Sequence, residues 1–397
     1  MIRGIQGDKQ AGAVSLFVVI FSMLLLTVVT VSFLRLMMGD LRQASDTDLS
    51  QSAYDSAQAG VEDAKRALLR YQAYCNTTTE SNCNTLAGQL SSDTCNEAVR
   101  IGGVVPGSSG EVSVRTRVES TTSTSFDQAY ACVTMKLNTE NVIGKLDEGV
   151  SKFVALKGVG NFNQVTISWF DQKDLALPST PISLISTTTP LPLNTQTSAG
   201  WPTERPPIVR AQVMQTGTNF TLQNFDFTSG GQSNTNTLFL YPTSDGAASA
   251  SYAGRDTRAS SVGGTPPKDS ESFSPQATAC RPSVATGGYA CSITLDLPDV
   301  IGGGTRQGYL RLTPFYKGAS FEVRLSMNGV PVDFRAVQPA IDATGRANDL
   351  YRRVESRVEL MDSSLPLPEA AVDVTTEFCK DFTVSDAAYT QVQCTYN

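Results

Sequence analysis

Residues 11 to 34, AGAVSLFVVIFSMLLLTVVTVSFL, contain no charged side chain. A helix of that length rises about 36 Å at about 1.5 Å per residue, enough to cross a hydrocarbon core of about 30 Å. A secretory signal has a shorter apolar region, about 7–15 residues, followed by a small-residue cleavage site. Here the apolar run is longer and leads into Arg35-Leu36-Met37-Met38-Gly39-Asp40. A buried core helix is the alternative, and so long a run without one charge argues against it. Arg3 and Lys9 stand against Asp8 in the short segment before the run, a bias that favours a cytoplasmic N-terminus. The run is therefore read as a membrane span.

Beyond Asp40 the periodicity changes but does not stop. Leu41, Ala44, Leu49, Ala53, Ala57, Val61, Ala64, Leu68 and Tyr71 recur at steps of mostly three and four residues, one face of an amphipathic helix. Arg42, Asp46, Asp48, Asp55, Glu62 and Arg66 fall on the other face, with Glu62 and Arg66 four apart in the favourable order. Proline first occurs at Pro106, so one helix from Ala13 to about Tyr74, roughly 90 Å long, is allowed. Gly39 is its weak point, since glycine costs about 1 kcal/mol relative to alanine within a helix.

About 320 residues follow, ample for one large or two ordinary domains. The formal charge of −7, without a long charged run, gives no footprint for nucleic acid. The cysteines are Cys75, Cys83, Cys95, Cys132, Cys280, Cys291, Cys379 and Cys394. They form no C-x-x-C pair, and the chain has no histidine, so zinc and thioredoxin-like signatures are absent. Disulfides in an oxidising compartment are the simplest account, with buried free thiols as the alternative. Cys379 and Cys394 bracket the C-terminal segment, and Cys280 and Cys291 flank Gly287 and Gly288; each couple is expected to pair. The four early cysteines allow three connectivities, among which sequence does not choose. Cys75 with Cys83 and Cys95 with Cys132 is the pairing adopted.

Alternating apolar and polar residues, rich in β-branched and aromatic types, mark strands over 110–118, 129–137, 164–170, 237–241, 290–297, 308–314, 320–327 and 354–360. Asn328-Gly329 and Val105-Pro106-Gly107 read as turns. Two stretches, 186–207 (Thr- and Pro-rich) and 243–279 (rich in Ser, Ala and Gly), lack periodic apolar positions and read as surface excursions or a subdomain boundary. The expected fold is α+β: a long hydrophobic helix, its lower half packed on a large antiparallel β-rich head of sandwich or jelly-roll type. Its divisions are 1–12 leader, 13–38 membrane half of the helix, 39–75 amphipathic half, and 76–397 exported head, with a subdomain boundary near 186–207.

Chemistry is sparse. Without histidine there is no Ser-His-Asp triad, and neither a phosphate-binding G-x-x-x-x-G-K-[ST] loop nor a G-x-S-x-G elbow occurs. Gly302-Gly303-Gly304 reads as a turn. Asp296 and Asp299 lack the ligand spacing of a known calcium loop and read as solvated strand-end acids, and Asp226 and Asp245 are too scattered to form a site. Asn76-Thr77-Thr78 and Asn219-Phe220-Thr221 match the glycosylation acceptor pattern, which often arises by chance. No enzyme, cofactor or metal is expected.

A short charged leader, Gly12 before Ala13, an apolar run and then a polar helix with AQAGVEDAKRAL at Ala57–Leu68 resemble a type IV pilin or pseudopilin, most of all the minor pilins of the PilX type. The resemblance covers about the first 75 residues. It implies cleavage between Gly12 and Ala13 by a prepilin peptidase, packing of the helix among other pilin subunits, and assembly by pilus machinery. AIDATGRANDLYRRVESRVEL at 340–360 is similar to a recurrent pilin strand, and Cys379 and Cys394 to the C-terminal disulfide-bounded loop of many pilins. Most major pilins have a glutamate at the fifth mature position, where this chain has Phe17. That departure points to a minor component, in an assembly, tip or adhesion role. The expected function is thus a membrane-anchored minor pilin that reaches the cell surface; the alternatives are a permanently anchored surface adhesin with a β head and an anchored exported hydrolase. The hydrolase requires two acids within about 5–10 Å of each other in a cleft.

Overall fold

The computed structural model describes residues 11–75, 77–114, 127–186, 198–217, 228–229, 232–233, 237–251, 276–302 and 306–360. Asn76, Asn219, Asp226, Gly303, Gly304, Cys379 and Cys394 lie outside them. The described residues belong to one compact unit, 1–360, and the second unit, 361–397, lies outside the described residues.

The first element is one uninterrupted helix, α1 (Ala11–Cys75), about 98 Å long at 1.5 Å per residue. It runs straight through Gly39, where an added Cβ would meet nothing within 4 Å. Two short helices follow, α2 (Glu80–Leu90) and α3 (Glu97–Ile101). The strands are β1 (Val112–Ser113), β2 (Gln128–Lys136), β3 (Val142–Leu146), β4 (Lys152–Leu156), β5 (Phe162–Trp169), β6 (Ile208–Gly217), β7 (Thr228–Ser229), β8 (Gln232–Ser233) and β9 (Thr237–Thr243). They continue as β10 (Ser249–Ser251), β11 (Gln276–Ala279), β12 (Cys291–Ile301), β13 (Arg306–Phe315), β14 (Ala319–Met327), β15 (Val330–Val332), β16 (Ala340–Ala347) and β17 (Leu350–Arg357).

These elements build two main cores, beside a small cluster of Ile185, Trp201, Ile208 and Tyr241. The first lies between α1 and a four-stranded antiparallel sheet in the order β1-β2-β16-β17. The second is a sandwich of a six-stranded sheet, β10-β12-β5-β14-β15 with β3 also on β14, and a five-stranded sheet, β11-β9-β6-β13-β4. All pairs are antiparallel except β10 with β12 and β9 with β11. The expected α+β class with a sandwich head is the fold observed.

The two cores are not consecutive along the chain. β2 and β16 are neighbours in register, Lys136 opposite Ala340 and Met135 opposite Ile341, yet about 200 residues of sandwich lie between them. The sandwich is an insertion into one hairpin of the helix–sheet unit. The cores therefore separate at 137–142 and 334–340, and Glu204, within the 186–207 stretch, accepts from Ser183 N (3.1 Å).

Several expectations need correction. Docking of α1 begins near Ser50, which accepts from Arg352 Nε of β17 (2.7 Å), and full burial starts at Ala53; Leu41 is 67 % exposed and Leu49 only half-buried. Glu62 pairs with Lys65 (2.6 Å) and Arg66 with Asp63 (2.8 Å), rather than with each other. Asp63 is drawn to the helix–sheet border by the Tyr130 hydroxyl, which donates to it at 2.8 Å. The segment 340–360 is a hairpin of two strands around the turn Asn348-Asp349, with Asn348 at φ 50°. α2, α3, β3, β4, β6, β7, β8, β10, β11, β15 and β16 go beyond the elements read from the sequence: most are short and are decided by tertiary packing, whereas β6 and β16 alternate and are legible on that ground.

Candidate functional surfaces

The buried face of α1 is made by Ala53, Ser56, Ala57, Gly60, Val61, Ala64, Ala67, Leu68 and Tyr71, the three- and four-residue spacing of one helix side. Mostly small residues line it, so helix and sheet approach closely. A Cβ at Gly345 of β16 would lie 2.1 Å from Ala53 O and 2.2 Å from Ala57 N. A Cβ at Gly60 would lie 2.7 Å from a Val133 methyl. Gly345 lets backbone meet backbone at the crossing, and Gly60 makes room for the Val133 and Tyr130 side chains.

Further up the helix the environment inverts. From Leu16 to Leu41 the large apolar side chains are between 48 and 78 % exposed, and they surround the helix on all sides. Such a surface is unstable in water at about 25 cal/mol per Å² and needs an apolar cover. The helix is long and apolar enough to cross a membrane by length and composition. Gly12 and Ala13 lie in its first turns, and Phe17 is 78 % exposed.

Among the described residues three disulfides tie the head together. Cys75 and Cys83 join the end of α1 to α2, Cys95 and Cys132 join the start of α3 to β2, and Cys280 and Cys291 join β12 to the end of β11. These are the pairs chosen from the sequence. Beside the second bond, Asn96 adopts a left-handed conformation (φ 64°) and is fully buried. Its amide donates to Gly110 O (2.8 Å) and Ala131 O (3.0 Å) and accepts from Val133 N (2.9 Å). Every polar atom of the side chain is satisfied, which locks β2 against α3.

On the far side of the same sheet Arg346 forms a fork. It reaches Glu111 (2.8 Å) and Asp127 (2.8 Å), and donates to Asn348 O (3.0 Å). Hydrogen bonding to Glu111, then to Asp127, holds the guanidinium above its ordinary range; the same contact holds the Asp127 carboxyl below its own. At the sheet–helix border, burial and then the bond to Asp63 push the Tyr130 hydroxyl up.

The junction between the two cores is heavily bonded. Thr139 and Phe334 exchange two backbone bonds (3.2 and 2.8 Å), and the Gln338 amide bonds Ile143 N (2.9 Å) and Ile143 O (2.7 Å). Phe334 is fully buried at this crossing, so the sandwich is held firmly on the helix–sheet unit.

An open recess of about 380 Å³ lies where α1, α2 and α3 meet, lined by Arg70, Tyr74, Asn82, Thr85, Leu86, Gln89 and Ile101. Arg70 donates to Ile101 O (3.1 Å), so the cation serves the packing of α3. Asp296 accepts from Gln164 (2.8 Å) across β12 and β5, as a strand-surface acid. Among the described residues no three or more Cys, Asp or Glu side chains cluster to hold a metal ion. Comparison with family models, with curated proteins and with solved structures finds no match.

Proposed function

We propose that the chain is a membrane-anchored protein that displays a β-sandwich binding head on the outer side of the membrane. The observation that carries this reading is the change of surface along α1, from apolar on every side at Leu16–Leu41 to one buried face from Ala53 onward, within one unbroken helix. Disulfides in both cores support an oxidising compartment, hence an exported head and a cytoplasmic N-terminus. Placing Leu25→Arg and Val28→Arg together in the apolar half puts two charges where each costs about 3 kcal/mol on an insertion scale. The wild-type chain is expected to stay in the membrane pellet after alkaline carbonate extraction, and the double variant to leave it. Recovery of the wild type in the soluble fraction overturns the reading.

A second reading is a minor pilin-like subunit that passes from membrane to filament. It is favoured by Gly12 and Ala13 at the start of the helix and by the close docking of that helix's distal half on an antiparallel sheet. Its partners would be other pilin subunits, the assembly machinery and a prepilin peptidase. Mass spectrometry of sheared surface filaments decides between the readings. A chain beginning at Ala13 in the filament fraction supports the pilin reading; an intact leader confined to membranes supports the permanent anchor.

A further inference from the structure

The five-stranded sheet of the sandwich has a charge pattern unlike the rest of the molecule. The chain as a whole carries 38 acidic and 31 basic residues. Yet β4, β6, β9, β11 and β13 contain no aspartate or glutamate. Val154, Leu310, Val213, Leu312 and Leu238 point into the sandwich core. The alternate residues form the other face, one end of which carries the buried cluster of Ile185, Trp201, Ile208 and Tyr241 with Phe239, Phe315 and Tyr316 packed against it. Phe153, Arg311, Gln212 and Thr237 stand in one row across four strands, and Thr313, Arg210 and Phe239 in the next.

Arg210 and Arg311 are diagonal neighbours on adjacent strands, a relation that separates such positions by about 7–8 Å. Each guanidinium lies over a phenyl ring, Arg311 at 5.5 Å from the Phe153 centroid and Arg210 at 5.8 Å from that of Phe315. Arg311 Nε donates to Ser151 Oγ (2.8 Å), which lies 2.9 Å from Thr313 Oγ1, and Arg210 Nη2 donates to the same threonine (3.2 Å). One chain of two hydroxyls therefore joins both cations. Among the described residues neither is paired with a carboxylate, and Arg210 Nε is buried without a partner. Burial, then the positive charge of Arg311, pull the Arg210 guanidinium below its ordinary range. At the end of the rows, Arg205 lies 5.2 Å over Trp201, which stacks on Tyr316 at 4.7 Å.

Two half-buried like charges on an acid-free sheet are destabilising until an anion lies between them. We propose that this face binds a polyanionic glycan, with Arg210 and Arg311 contacting its carboxylate or sulfate groups. A guanidinium suits such groups because its planar donors match their oxygens. The neighbouring Gln212 amide and phenyl rings suit the hydroxyls and C–H faces of sugar rings. Two arginines are few for a nucleic acid, whose affinity depends on many phosphate contacts. The proposal rests on reading the sandwich as a binding head, but its test does not involve membrane attachment, so either can fail alone.

The test uses the full chain in detergent, with heparin as a sulfated probe, polygalacturonate as a carboxylated one, neutral dextran as control and a dT20 oligonucleotide as the other polyanion. Binding to heparin or polygalacturonate is expected, weakened at least tenfold in R210Q/R311Q with an unchanged thermal transition. Which of the two binds identifies the anionic group. R66Q/R100Q, which removes the same charge from α1 and α3, is expected to change affinity less than twofold. Should the double variant lose its transition, R311Q alone is read, with at least a threefold loss expected. Failure of both glycans to bind, dT20 or dextran binding as tightly as the glycans, or equal losses in the two charge-removal variants overturns the proposal, as does unchanged affinity in R311Q.

Discussion

Gly345 is where the helix–sheet packing is most sensitive to a single atom. A Cβ there would press on Ala53 O and Ala57 N, which are backbone atoms of α1 and cannot rotate away as a flexible side chain would. Overpacking costs typically 1–3 kcal/mol and more where the backbone must move. Gly345→Val is therefore expected to destabilise the chain by about 3 kcal/mol, read as a lowered midpoint in urea unfolding of the detergent-solubilised protein. Tyr289 gives a pH dependence. Its hydroxyl donates to Phe321 O (3.2 Å), and burial first, with the charge of Glu322 next, pushes its ionisation from 10.0 up to about 12. In the unfolded chain the phenol loses its proton earlier, so the unfolded state binds fewer protons between those values and stability falls as pH rises. The contribution is complete below about pH 10 and is lost as pH passes about 12. Tyr289→Phe should flatten the fall of melting temperature over that window; an unchanged slope would assign the alkaline loss to other groups.

At the scale of elements, the amphipathic pattern was legible in the sequence because a helix repeats at 3.6 residues whatever it packs against. Where docking begins was not, since Leu41 and Ala53 satisfy the same periodicity and only the extent of the sheet separates them. β14 with its near-strict alternation, and the alternating stretches 133–136 of β2 and 165–169 of β5, were readable for the same local reason. β16 is legible only by its alternation: AIDATGRA is poor in β-branched and aromatic residues, and it becomes a central strand because Gly345 and Ala343 fit under the helix. The cystine between Cys95 and Cys132 joins α3 to β2 over a separation of 37 residues. A loop of that size is worth about 4 kcal/mol in the chain-entropy view. Replacing both cysteines by serine should lower the thermal midpoint of the helix–sheet unit while leaving that of the sandwich nearly unchanged. Differential scanning calorimetry separates the two.

For the whole molecule, the insertion of the sandwich into one hairpin of the helix–sheet unit is the organising fact. Lys136 and Ala340 already face each other, so the two strands could be joined by a short turn. A variant in which residues 138–338 are replaced by Asn-Gly is expected to keep one cooperative unfolding transition and the disulfides of Cys75–Cys83 and Cys95–Cys132. Loss of cooperativity in that variant would mean that the helix–sheet unit depends on the sandwich for its fold. The bonded junction at Thr139, Phe334 and Gln338 holds the sandwich on the helix–sheet unit, as the proposed display function requires.

The amino-acid sequence by itself determined the features that depend on neighbours along the chain. These are the uncharged run at 11–34, the continuous helix that follows it, the alternation of the clearest strands and a cysteine set without metal-binding spacing. Tertiary structure alone decided the pairing of β2 with β16 across the inserted sandwich, the close crossing at Gly345, and the gathering of Arg210 and Arg311 on an acid-free sheet face. The physical reason is range. Helical periodicity and strand alternation are written within a few residues, whereas strand neighbours and charge surfaces are set by contacts between segments about 100 to 200 residues apart.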